Sequence, residues 1–195
     1  AGDCEYEYNA EHTLNDLAIS ETLSHELENI DIYTNSWGPV DSGNRLGGAG
    51  PLSIASIEHG VNQGRDGLGT IYTWANGNGL DNKDQSNKDG FANSRYTIAV
   101  GAVDWQGEQT WYAETGSNML VSAPSANYLS DPAIFTTDVS GNDGDSSTDY
   151  TSNMGGTSSS TPMVAGVVAL MIEANSNLNW RDVQHILVKT SRQVD

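Results

Sequence analysis

The chain has 195 residues, and 26 Asp and Glu against 8 Lys and Arg leave a formal net charge of −18. That length suits one domain with one sizeable core. A surface so negative repels nucleic acid and anionic membranes and favours cations and basic ligands; it also serves simply to keep a chain dissolved. The single cysteine, Cys4, excludes an internal disulfide. No apolar run reaches the roughly 18 residues of a membrane helix, and the first residues do not read as a signal peptide.

In chain order, Asn15 to Leu27 has helical apolar spacing at Leu17, Ala18, Leu23 and Leu27, with Asn15 as N-cap. Ile30 to Tyr33 reads as a short strand, followed by the turn-like Asn35-Ser36-Trp37-Gly38-Pro39. Pro51 to Gly64 reads as a helix, with Pro at its start and Gly at its end. Thr70 to Ala75 and Tyr96 to Val103 are near-continuous apolar runs, as in strands buried on both faces of a parallel sheet. The polar segment Asn76 to Gly90 between them is a loop. Leu120 to Pro124 and Ala133 to Thr137 are short strands, and Ser140 to Tyr150 is a Gly, Asp and Ser loop. Thr161 to Ala174 is a buried helix, and Asn179 to Val188 is an amphipathic one. The alternation predicts an α/β fold with a mostly parallel sheet. There is no internal repeat and no linker, so one domain is expected.

The stretch Gly155 to Met171 places four hydroxyl residues, Thr157 to Ser160, directly before an apolar helix. Two readings follow. One of the hydroxyls caps the helix, or a serine is a nucleophile whose oxyanion is held by the free N–H groups of the first turn. The string is not the Gly-x-Ser-x-Gly elbow of α/β-hydrolases, because Ser160 stands where the second Gly would be.

Gly156-Thr157-Ser158-Ser159-Ser160-Thr161-Pro162 resembles the Gly-Thr-Ser-x-x-x-Pro signature of subtilisin-like serine proteases. Ser36-Trp37-Gly38-Pro39, Trp74-Ala75-Asn76-Gly77-Asn78-Gly79 and the closing helix with Asn179-Trp180-Arg181-Asp182 resemble the kexin/furin branch, the proprotein convertases. The similarity runs from about Asn15 to Ser191. It implies a three-layer α/β fold with helices on both faces of the sheet. It implies Ser158 as nucleophile and Asn78 as oxyanion donor, with Gly156 allowing close approach and Pro162 tolerated in the first helical turn. By itself, Asn78 is equally a turn former in a Gly-Asn-Gly loop. The resemblance further implies a substrate cleft formed by Ser36, Trp37, Gly38, Pro39, Asp41, Trp74, Ala75, Asn76, Gly77 and Asp89. Asp41 and Asp89 would hold a basic P1 side chain. Asp41, Asp84 and Glu114 would form a Ca²⁺ site of hard oxygen ligands.

The general base is missing from the pattern. In this family the triad runs Asp, His, Ser, and the His lies in a His-Gly-Thr motif well before the oxyanion Asn. None of His12, His25, His59 and His185 is followed by Gly-Thr, and all four read as structural or solvated. The chain therefore reads as the C-terminal part of a catalytic domain whose Asp and His precede Ala1, inactive by itself. Other departures weaken a strict dibasic rule: Ser42 follows Asp41, Ala49-Gly50-Pro51 lacks an acidic residue before Gly-Pro, and the convertase cysteine pair falls on Ser86 and Lys88. The expected protein is a secreted or periplasmic endopeptidase cutting after Lys or Arg, with peptide substrates and a pro-segment or inhibitor as partners. The alternative is a catalytically dead, calcium- and peptide-binding pseudopeptidase; an α/β-hydrolase esterase fits worse.

Overall fold

The predicted apolar runs form a parallel sheet in the order β1-β2-β3-β4, where β1 is Ile32–Asn35, β2 Ile71–Ala75, β3 Thr97–Val103 and β4 Met119–Pro124. This computed structural model describes residues 15–127, 132–141 and 143–194; Cys4 and His12 lie outside them. Alternate residues of a strand point to opposite faces, and both faces here are apolar. Tyr72 and Trp74 of β2 pack with Leu23, Ile57 and Val61 on one side. Ile71, Ile98 and Val100 pack with Val164, Val168, Val183 and Leu187 on the other. Helices α1 (Asp16–Leu23) and α2 (Pro51–Gln63) supply the first layer, and α3 (Thr157–Ala174) and α4 (Trp180–Thr190) the third. The three-layer α/β architecture is as the sequence implies.

Local signals explain most ends. Asn15 caps α1 through Oδ1, which accepts from Ala18 N–H at 2.9 Å. Asp16 then caps α2, its carboxylate accepting from Leu52 and Ser53 N–H at 2.7 and 2.9 Å, so one turn of α1 fixes the start of its neighbour. Asn179 and Asp182 form a reciprocal capping box on α4. No described helix is long and apolar enough to cross a membrane.

Several expectations are corrected. Helix α1 stops at Leu23, because Glu26 takes a left-handed φ of 51° and the chain turns there; His25 thus follows the helix rather than lying on it. Tyr150–Met154, which begins at the last residue of the predicted loop, is strand β6, antiparallel to β5 (Ile134–Thr137). Its alternating Thr, Ser and Asn residues carry little apolar signal. Helix α3 starts at Thr157, four residues before the predicted Thr161, so Pro162 is its sixth residue, beyond the first turn. None of the four hydroxyls caps it. The N-cap is Gly156, without a side-chain capping bond, at φ 80° and ψ 165°.

The hydroxyls instead bond to nearby carbonyls. Ser159 Oγ donates to Gly156 O at 2.9 Å, Ser160 Oγ to Ala123 O at 3.0 Å and Thr161 Oγ1 to Thr157 O at 2.8 Å. Small hydroxyl residues thus let a buried helix start pack tightly against the end of β4. The Gly156 conformation is one that side-chain-bearing residues essentially do not adopt. Gly156→Ala is expected to lower the unfolding free energy by about 1–3 kcal/mol, read as a lower urea midpoint at unchanged slope.

Candidate active site

The site lies at the carboxyl ends of the strands, where ligands bind in open α/β sheets. Ser36 to Pro39 leave β1, Asn76 to Gly79 leave β2, and Ser125 follows β4. Against them stands the start of α3, with Ser158 as its second residue.

Ser158 is half-buried. Pro162 has no N–H, so the Ser158 carbonyl, four residues earlier, lacks its helical donor. Ser36 Oγ fills that place, donating to Ser158 O at 2.8 Å, while Ser158 Oγ donates to Ser36 O at 3.3 Å. The proline of the Gly-Thr-Ser string and the serine of Ser-Trp-Gly-Pro are thus two halves of one contact.

Asn78 is held at both ends. Its N–H donates to Asp41 Oδ2 at 3.0 Å. Its Oδ1 accepts from Thr157 N–H at 2.9 Å and Thr157 Oγ1 at 3.0 Å. With the amide oxygen fixed, Nδ2 is the free donor. The vacant Cβ position of Gly156 lies 3.6 Å from Asn78 Oδ1, 3.9 Å from its Nδ2 and 3.7 Å from Ser158 N. The Asn78 amide and the Ser158 N–H therefore border one small space kept open by a glycine.

Two further residues were not singled out in the sequence. Tyr112 Oη accepts from Gly156 N–H at 3.0 Å and lies 2.8 Å from Ser125 Oγ. Ser125 Oγ donates to Gly156 O at 2.9 Å and lies 2.9 Å from Ser159 Oγ. Both peptide groups of the strained glycine are clamped. A serine just past the end of β4 was the available signal, since strand ends carry the chemistry of such folds.

The acidic residues converge from three loops. A Cβ on Gly79 would lie 2.8 Å from Asp41 Cβ, 2.9 Å from Asp84 Cβ and 2.9 Å from Glu114 Oε1. Glu114 Oε1 accepts Gly79 N–H at 3.1 Å, and Asp84 Oδ2 accepts Gly43 N–H at 2.8 Å. Burial, then the charges of Asp41 and Asp84, push Glu114 up to about 8. Burial likewise raises Asp41, which shares a hydrogen bond with the Glu114 carboxyl. Lys88 Nζ stands 3.6 Å from Asp84 Oδ1. Among the described residues, no group of three or more His, Cys, Asp or Glu is arranged to hold a metal ion. The Asp41 and Glu114 carboxyls instead approach each other closely enough to share a hydrogen bond.

Asp89 lies apart from that trio, its Oδ1 accepting Phe91 N–H at 2.8 Å and its Oδ2 at the Gly38 edge. Burial, then repulsion from Asp41 and Asp84, pushes it up to about 7. Trp37 packs edge-on to Trp74 and Phe91, with ring centroids 4.7 and 5.0 Å away, and Trp74 Nε1 donates to Trp37 O at 2.7 Å. Trp74 and Asn76 are fully buried and Ala75 nearly so. Their side chains form the floor beneath Ser36 to Pro39 and Asn78. His25, His59 and His185 are exposed, and the Ser158 hydroxyl donates to a backbone carbonyl rather than to an imidazole.

Comparison with known proteins follows the same lines. The Subtilase family model matches residues 6–195. Proprotein convertase subtilisin/kexin type 5 of Rattus norvegicus is 41% identical over 177 residues, 91% of this chain and 9% of that protein. The human type 6 protein is 44% identical over 177 residues, 91% of this chain and 18% of that protein. The human type 4 protein is 41% identical over 180 residues, 92% and 23% respectively. The chain thus spans under a quarter of these relatives' length. The serine protease of Aeromonas sobria superposes with a TM-score of 0.76 at 24% identity, covering 86% of this chain and 34% of that one. A protease of Pseudoalteromonas arctica does so at 0.68 and 24%, covering 92% and 51%. The chain belongs to the subtilase family of serine peptidases, with proprotein convertases among its relatives.

Proposed function

We propose that this chain is the C-terminal part of the catalytic domain of a serine endopeptidase that cuts after Lys or Arg. Ser158 Oγ attacks the scissile carbonyl. A histidine upstream of Ala1, oriented by an upstream aspartate, takes the hydroxyl proton and returns it to the leaving amine. The oxyanion is held by Asn78 Nδ2 and Ser158 N–H. The observation that carries this reading is the fixed Asn78 amide: two bonds from Thr157 hold Oδ1, so Nδ2, 3.9 Å from the vacant Cβ position of Gly156, is the end left to donate. The upstream segment has support in α3, which is apolar around most of its circumference. Val167 is 49% and Leu170 65% exposed on its outer side, and such a helix belongs in an interior.

Asp41 and Asp89 supply negative charge on the wall made by Ser36 to Pro39, which suits a guanidinium or ammonium. Their raised affinity for protons is what paired buried carboxylates show until a cation replaces the proton. The same argument fits calcium to Asp41, Asp84 and Glu114: three hard carboxylate donors converge there under mutual repulsion. Bound calcium would supply the countercharge that fixes the Asn78 loop. A pro-segment or inhibitor would occupy the same cleft, and the natural setting is extracytoplasmic.

The test is labelling by a fluorophosphonate in the protein that includes the polypeptide before Ala1. Mass mapping is expected to place the adduct on Ser158. An unlabelled, well-folded protein would favour the second reading, a calcium- and peptide-binding pseudopeptidase. The exposed histidines and the backbone partner of Ser158 Oγ are what that reading rests on.

The acidic cluster gives a pH-dependent prediction. Glu114 and Asp89 have folded pKa values above their unfolded ones, so the native state holds extra protons between about pH 4 and pH 8. Without calcium, their contribution to stability is fully present below about pH 4 and is lost as pH rises through about 7 to 8. Calcium competes with those protons, so its stabilisation grows over the same window. At pH 8 with calcium at 100 times its Kd the gain is about 2.7 kcal/mol, and it shrinks towards pH 5. Thermal melts with calcium and with chelator at both pH values measure the difference. An equal calcium shift at pH 5 and pH 8 would remove the carboxylate cluster as the binding site.

A further inference from the structure

Strand β4 begins at Met119, which is 36% exposed. Its thioether is gripped by two donors. Asn76 Nδ2 donates to Met119 Sδ at 3.4 Å, and Ser122 Oγ lies 3.7 Å from it. Sulfur is a weak acceptor, so both donors are poorly served. Asn76 is fully buried, its Nδ2 also donates to Glu114 O at 2.5 Å, and its Oδ1 has no partner among the described residues. Gly101 stands opposite the sulfur, where a Cβ would collide with it. The other methionines are set differently: Met163 and Met171 pack against the core, and Met154 is partly buried in β6.

We propose that Met119 is a modification site at which hydrogen peroxide forms the sulfoxide, with Asn76 and Ser122 receiving the new oxygen. The sulfur lone pair attacks one peroxide oxygen; the S–O bond forms, the O–O bond breaks, and the second oxygen leaves as water after taking up the proton of the first. Sulfur is oxidised by two electrons and the peroxide is reduced by two. The sulfoxide oxygen is a far stronger acceptor than the thioether, so Asn76 Nδ2 and Ser122 Oγ turn from the sulfur to the oxygen as it forms. The oxygen also competes with Glu114 O for the Asn76 amide. Asn76 sits two residues before Asn78, so oxidation is registered in the loop Gly77 to Gly79. An effect on turnover rests on Asn78 being the oxyanion donor; the modification does not.

The experiment treats the protein that includes the polypeptide before Ala1 with dilute hydrogen peroxide and follows each methionine by peptide mass mapping. Amide NMR follows Asn76 to Gly79 in parallel. Met119 is expected to oxidise at least about threefold faster than Met154, Met163 and Met171. The Asn76 side-chain amide is expected to shift with it, and methionine sulfoxide reductase to reverse both changes. Ser122→Ala, which keeps the sulfur and removes one donor, is expected to slow Met119 oxidation about threefold. Met119→Leu is expected to abolish the amide shift in peroxide. Oxidation of another methionine first, or Met119 sulfoxide without movement of the Asn76 amide, overturns the proposal. Neither readout requires proteolysis, so failure here is distinct from failure of the peptidase reading.

Discussion

Ser158→Ala, in the protein carrying the segment before Ala1, is expected to lower kcat by about 10⁶-fold and leave the fold intact. The magnitude is that of the corresponding loss in subtilisin, itself a member of this family. The intact fold follows from the local contacts. Ser158 Oγ makes one bond, at 3.3 Å, to Ser36 O in a half-exposed position. Removing it costs within about 0.5 kcal/mol. The bond that matters for the helix start, Ser36 Oγ to Ser158 O, uses the backbone and survives. Ser36→Ala would give the opposite pattern: a carbonyl left without its donor beside Pro162, with the nucleophile still present. Steady-state kinetics with a peptide carrying a chromogenic amide leaving group after Arg, together with a urea melt of each variant, separate the two. Comparable hydrolysis by Ser158→Ala and wild-type protein would end the nucleophile assignment.

The architecture was legible because its signals are local. Apolar strands such as Thr97 to Val103 announce a sheet buried on both faces, and Asn15 and Asn179 announce helix starts by their capping chemistry. The string Gly156 to Pro162 pointed to the right junction but not to its construction. Four consecutive hydroxyls read as caps, because capping is what such residues do near a helix start. Their true partners, Ala123 O and Gly156 O among them, depend on how β4 meets α3. Gly156 as N-cap was illegible for the same reason, since a positive φ is set by Tyr112 and Ser125 clamping its peptide groups. Trp74 and Asn76 were assigned to the cleft through the resemblance of the stretch Trp74 to Gly79 to the family's loop. That their side chains turn into the core depends on strand alternation and the end of β2. The carboxylates are an intermediate case. Their charge is plain from composition, but their convergence on Gly79 arises from three loops far apart in the chain.

Asn78→Asp is expected to lower kcat by about 10²- to 10³-fold or more with KM little changed. That range is what loss of one side-chain oxyanion donor costs in subtilisin. Aspartate is the informative replacement because it is nearly isosteric and keeps the oxygen that Thr157 N–H and Thr157 Oγ1 bind at 2.9 and 3.0 Å. The loop stays anchored, and its backbone bond to Asp41 Oδ2 does not involve the side chain. Only the Nδ2 donor is lost, and a carboxylate oxygen takes its place beside the developing negative charge. An interaction made in the transition state and not in the ground state falls on kcat, and kcat/KM falls with it. If Asn78 were only a turn former, aspartate would serve equally well, since both residues favour turns for the same reason. Unchanged kcat in Asn78→Asp would therefore return the residue to the turn and leave Ser158 N–H to hold the oxyanion alone. A tenfold rise in KM at constant kcat would instead place Asn78 against the bound substrate, lost as uniform binding of roughly 1.4 kcal/mol.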